Sequence, residues 1–298
     1  MAAGIAAAGG WFVYRSAHDL GAPADLIACL PRTGATLAYV DVDAVRRAGL
    51  LDLISGTKAV QDPEYRSFVE SSGFDYRRDM DAVAMAFNGS SAFFVVRGRF
   101  DWRKLRDYTE KQKGECRDNL CRVRGSEPGR WVSYWQIRSG VMAIASSPNA
   151  WAALDITPRE RSDAATREHP DTPIWMLVPP ATLSESRSLP AGTQSFASPL
   201  ASAERVVFSI APSAGDQLKL HLDVTSPTES GAAELLDRLR GATDMLQKML
   251  QRENLKANEN DLSGLLSAGS FRREGRRVSG DWPLRRKLIE AIAGGPAG

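Results

Sequence analysis

The feature that most restricts this chain is a hairpin signal that occurs twice at a fixed interval. Ala82 to Phe87 and Ala92 to Phe100 are apolar, β-rich runs joined by Asn88-Gly89-Ser90-Ser91, and Asn-Gly between such runs favours the tight turn whose twist matches paired strands. Asp101 then caps a helix to about Gln112, which Gly114 stops. About 125 residues later Val206 to Ala211 and Gln217 to Val224 read as a second hairpin. Ser226-Pro227-Thr228-Glu229 then opens a helix to about Arg252, with Ser226 as N-cap and Pro227 at the first helical position. The equal offsets of turn and helix start predict an internal duplication.

Strands at Thr36 to Val42 and Ile174 to Val178 head the two halves, and helices are expected at Asp43 to Ile54 and Pro63 to Ser71. A further hairpin is expected from Trp131 to Arg138 and Val141 to Ser146, with a short helix near Ala150 to Leu154. Phe271 to Trp282 reads as one alternating strand before a final helix bearing Leu284, Leu288, Ile289 and Ile292. The predicted fold class is α+β: two related antiparallel-sheet units of split βαβ, ferredoxin-like type in tandem, at 30–154 and 174–294. Residues 155–173 form a charged, proline-bearing linker, and 184–204 is a second polar stretch expected to be irregular.

Met1 to Tyr14 carries no charge, ends in Trp11, Phe12 and Tyr14, and is followed by Arg15, the pattern found where a membrane segment meets the headgroups. Fourteen residues fall short of the ~20 a spanning helix needs. Residues 1–16 therefore read as the end of a longer hydrophobic segment, a signal segment or a minimal membrane anchor. Leu26-Ile27-Ala28-Cys29 has the local form of a lipoprotein cleavage site, but charges separate it from the apolar run, so Cys29 is expected to be a buried residue before the first strand.

The chain balances 38 Lys and Arg against 36 Asp and Glu, so no field of one sign draws it to a polyanion and nucleic acid is not an expected partner. No phosphate loop, dinucleotide fingerprint, nucleophile elbow, zincin motif or Cys-x-x-Cys is present. No catalytic residue, cofactor or metal ligand is assigned. Asp41 and Asp43, like Asp79 and Asp81, are too few oxygens for a divalent cation and read as helix caps and strand flanks. His221 alternates away from the apolar side of its strand and is expected in solvent. Cys116 and Cys121 have the spacing of a small loop-closing disulfide in an oxidising compartment. Arg272, Arg273, Arg276 and Arg277 form a basic cluster that could contact an anionic surface.

The segments AYVDVDAVRRAGLLDLI, FDYRRDMDAV and RGRFDWRKL, at 38–54, 74–83 and 97–105, resemble an uncharacterised family of membrane-anchored bacterial proteins of unknown function. The resemblance implies a bacterial inner-membrane protein with an extracytoplasmic, periplasmic domain, and brings no site residues. The expected function is a non-enzymatic binding or scaffold protein of the envelope, reaching the membrane through 1–16 and meeting a protein or lipid partner. The alternative is an enzyme whose site is assembled from scattered Asp, Ser and Arg residues.

Overall fold

The computed structural model describes residues 22–55, 63–158, 170–184, 193–213, 218–254, 257–258 and 261–293. The expected anchor at 1–16 and most of the expected linker lie outside them. The described chain is α+β, built on one twelve-stranded sheet. Its strands are β1 Thr36–Val40, β2 Met80–Asn88, β3 Ser91–Gly98, β4 Glu115–Arg117, β5 Leu120–Arg124, β6 Trp131–Arg138, β7 Val141–Ser147, β8 Ile174–Val178, β9 Arg205–Pro212, β10 Leu218–Thr225, β11 Ser270–Glu274 and β12 Arg277–Leu284. Their order across the sheet is β11-β12-β10-β9-β8-β1-β2-β3-β7-β6-β5-β4. Every pairing is antiparallel.

The two head strands β1 and β8 pair with each other at the centre, Tyr39 opposite Trp175. Outward from that pair both sides read in the same order: first strand, hairpin, last strand, penultimate strand. A ferredoxin-like unit would instead interleave its first strand between later ones. Here β1 pairs β2 directly although helices intervene, so the four-strand ferredoxin order is not found.

Two registers show how the sheet is used, because directly paired residues share a face. One ladder runs Tyr134, Ile144, Phe94, Met85, Ala38, Met176, Phe208, Leu222. On that face helix α1, Trp102–Lys111, packs Leu105 against Cys121, Tyr134 and Met142. Its Asp101 cap accepts from the Lys104 amide at 3.1 Å, as expected. Farther along the face lies helix α2, Glu229–Arg252, which buries Ala232, Leu235 and Leu239. The adjacent ladder on the opposite face runs Ala143, Val95, Ala84, Tyr39, Trp175, Ser209, His221, Asp281. Its first members are covered by the helix Pro23–Ala28 and the turn Ala152–Asp155, which come close because Ala82, Ala84, Ala86, Ala143 and Ala145 present only methyl groups. Cys29 is buried there, as expected.

Several local expectations are corrected. Thr228, not Ser226, caps α2, its hydroxyl accepting from Gly231 N at 3.0 Å, while the Ser226 amide donates to Arg276 O. The apolar stripe of α2 is buried only in its first half, and Met245 and Met249 are exposed. Asp41 rather than Asp43 caps the following helix, and Asp43 pairs with Arg46 and Arg47. The single strand expected over Phe271 to Trp282 is a hairpin, broken where Gly275 adopts φ +54°. Residues Gln194–Ala197 and Ser198–Ser202 are helical instead of irregular, because Phe196 and Leu200, four apart, turn one side into the core.

Candidate ligand cavity and the groove behind it

The helices over the second half pack on β10, β11 and β12 but leave a space toward β9, β8 and β1. That space is a cavity of about 660 Å³. Its floor is β8, β1, β9 and β10, with Ala38, Ile174, Met176, Phe208 and Leu222, and Met85 of β2 at one side. Its roof is Leu183 of the helix Pro180–Ser184, Phe196 and Leu200, Leu239 of α2, and Leu265 and Leu266 of helix α3, Leu262–Ser267. Trp282 of β12 stands in the wall beyond Leu220, its cross-strand partner. No charged side chain lines it among the described residues. Met176 of the floor is 38% exposed.

The roof is held by specific contacts. Asp261 caps α3, accepting from the amides of Ser263 at 2.8 Å and Gly264 at 3.2 Å, and the Ser263 hydroxyl holds its carboxyl below the usual carboxylate range. Gln247 Nε2 on α2 donates to Ser267 O at 2.8 Å, tying α3 to the long helix. Native cores are packed so that voids larger than a water molecule are few. A space of this size falls inside the ~300–1,000 Å³ range of ligand clefts.

The opposite face of the same strands has a different character. A groove of about 520 Å³ is lined by Lys219, His221, Asp223, Ser209, Arg205 and Arg277 among others. His221 is not simply solvated, which corrects the expectation: its Nδ1 lies 2.6 Å from Asp281 Oδ1. Lys219 Nζ approaches the same oxygen at 3.0 Å, and Arg272 Nη1 lies 3.6 Å from Oδ2. Burial pushes the Asp281 carboxyl up, but the hydrogen bonds from His221 and Lys219 outweigh it and hold it below its ordinary value. Ser209 sits opposite His221 in the register, yet its hydroxyl and the imidazole are not hydrogen-bonded to each other.

The sequence-selected residues fall outside the cavity. Cys116 and Cys121 are directly paired residues of the β4–β5 hairpin and form a disulfide, S–S 2.02 Å. The four arginines lie on the β11–β12 hairpin, and each has an internal partner: Arg272 on Asp281, Arg273 on Gly275 O at 3.0 Å, Arg276 on Glu204 and Pro227 O, and Arg277 on Asp223 in a two-pronged pair. Among the described residues no group of three His, Cys, Asp or Glu is placed to hold a metal. No helix among them is long and apolar enough to cross a membrane. The cavity-lining residues were visible in the sequence only as apolar strand and helix positions, which is also how a filled core looks.

No protein-family model matches this chain, and no curated protein matches it. Among solved structures, crystal form I of TP0453 aligns with TM-score 0.49 and 9% identity, covering 91% of this chain and 97% of that one. Crystal form IV of TP0453 aligns with TM-score 0.48 and 10% identity, covering 90% and 96%. A likeness this loose carries nothing about what either protein binds.

Proposed function

We propose that this chain is a non-enzymatic binding protein whose ligand is an apolar molecule of lipid type, held in the cavity between the second half of the sheet and its helices. The observation that carries the reading is the cavity itself: about 660 Å³, walled mainly by Leu, Ile, Phe, Met and Ala, with no charged side chain among the described residues. Apolar cavities gain nothing from water and take up apolar molecules. Met85 and Met176 in its wall are deformable and polarizable.

The same proposal places the domain on the extracytoplasmic side of a bacterial membrane, with 1–16 as the route to it. The Cys116–Cys121 disulfide supports an oxidising compartment. The two halves, with the same strand order about the β1–β8 pair, are read as copies of one unit. That shared order and the sequence offset support the duplication. An enzymatic reading would start from His221 and Asp281, where among the described residues no nucleophile is hydrogen-bonded to the imidazole.

The test is extraction of full-length protein purified from its native membranes, followed by mass spectrometry of the organic phase. An enriched acyl lipid approaching one per chain is expected. Recovery of lipid only in proportion to the bulk membrane, together with failure of purified protein to take up an apolar dye, would sink the reading.

A further inference from the structure

We propose that the ligand is a two-chain amphiphile, with one apolar chain inside the cavity and the second laid along the sheet face beside it; this rests on the apolar-ligand reading above. The apolar sheet surface does not end where the cavity does. Met85 lines one side of the cavity, and its cross-strand partner on β3 is Phe94. Thr36 lines it too, and its partner on β2 is Phe87. Directly paired residues share a face, so Phe87 and Phe94 carry the cavity floor outward toward the strands that α1 covers. Phe87 is 42% exposed and Phe94 half-buried, with their rings edge to face at 6.2 Å between centroids. The next partners along the two ladders are Ala92 and Ile144, both half-buried and both uncharged.

Contiguous apolar surface left in water on a folded domain marks a place of contact, and here its continuity with the cavity decides the occupant. A one-chain ligand held within the cavity walls would leave Phe87 and Phe94 wet. A second chain joined at the same head reaches them past Met85 and Thr36 without crossing a charged side chain. Covering the two rings is favourable in proportion to the apolar area removed from water, and one molecule then accounts for both the enclosed space and the open strip.

The experiment titrates full-length protein with monooctanoylglycerol and dioctanoylglycerol, each kept monomeric and each displacing an apolar dye. Both heads are uncharged glycerol esters, so the second chain is the main variable. Dioctanoylglycerol should bind at one per protein and about tenfold tighter or more, since burying part of a second chain against two rings is worth at least that factor. Phe87→Ser should weaken dioctanoylglycerol about three- to tenfold and leave monooctanoylglycerol within about twofold, which shows that the cavity is intact. Should that variant fail to fold, magnetisation transfer in the native protein replaces it: ligand methylene protons should contact the Phe87 and Phe94 rings with dioctanoylglycerol and not with monooctanoylglycerol. Equal affinity for the two glycerides, or a Phe87→Ser variant that weakens both alike or neither, would overturn the proposal and leave the cavity reading standing. Failure of both glycerides to displace the dye would remove the apolar-ligand reading and this proposal with it, a separate and recognisable result.

Discussion

The two halves of the sheet share a strand order and differ in how their faces are closed. In the first half α1 covers β5, β6 and β7 on one face, and the helix Pro23–Ala28 with the turn Ala152–Asp155 closes the other against a row of alanines. In the second half α2 packs on the outer strands of one face but, with α3 and the 194–202 helices, leaves a cavity over β8, β9 and β1, and the other face carries a charged groove. Large side chains do not by themselves make a full core. Small residues let backbones approach and close the first half, whereas in the second half bulky Leu, Phe and Trp hold the roof off the strands. The single ladder from Ala84 through Tyr39 and Trp175 to Ser209, His221 and Asp281 records the change, passing from buried methyl groups to an ion cluster along one register.

That contrast can be broken most forcefully by truncation. Leu26, wholly buried under the first half, should cost about 2–5 kcal/mol when changed to Ala, through lost burial and a new void. Leu266→Ala on the cavity roof adds to a space already open and should cost less than half as much. Denaturant melts of the two variants compare them directly, and equal losses would deny that the halves are packed differently.

Enlargement reverses the order. Ala84→Leu should overpack the first half at about 1–3 kcal/mol, whereas Ala38→Leu, on the same pair of strands but facing the cavity, should leave stability within about 0.5 kcal/mol. A cost at Ala38 matching that at Ala84 would mean the space is not available to a side chain.

The edges of the sheet give smaller effects. Reducing Cys116–Cys121 closes no long loop, so its loss should cost about 2 kcal/mol on the chain-entropy account and loosen β4–β5 without unfolding the sheet. Hydrogen exchange confined to that hairpin is the expected readout. On the groove side, Asp281→Asn should cost about 1 kcal/mol at neutral pH. Because the Asp281 carboxyl is held below its unfolded value, its contribution is present above about pH 4 and lost as pH falls through the folded pKa. The native protein should therefore lose stability in that acid range more steeply than the Asn variant. Parallel acid titrations of the two would contradict the assignment.

Much of the frame was legible in the sequence, and the parts that were not share a cause. Asn88-Gly89, the Asp101 cap and the head strands announced themselves through local chemistry, since turn residues and caps act on their own neighbours. The β11–β12 hairpin was hidden because Gly275 lies between arginines that keep the alternation going. The His221–Asp281 contact joins positions 60 apart and exists only through the β10–β12 register. The cavity is less legible still. Leu222, Leu239 and Leu265 would read identically in a solid core, and only the standoff of the roof, a tertiary distance, separates the two cases. Trp282 likewise looks like any strand aromatic until its indole is seen without an acceptor.

The central claim is that the second half encloses a working apolar site, and Ala38→Phe tests it most directly. The substitution puts a ring into the cavity from a strand that already has the right backbone, so the fold should be kept. Calorimetric titration with methyl laurate should show saturable binding at one site per chain in the native protein and none in the variant, with both melting alike. Binding unchanged by Ala38→Phe, or absent from the native protein, would contradict the account.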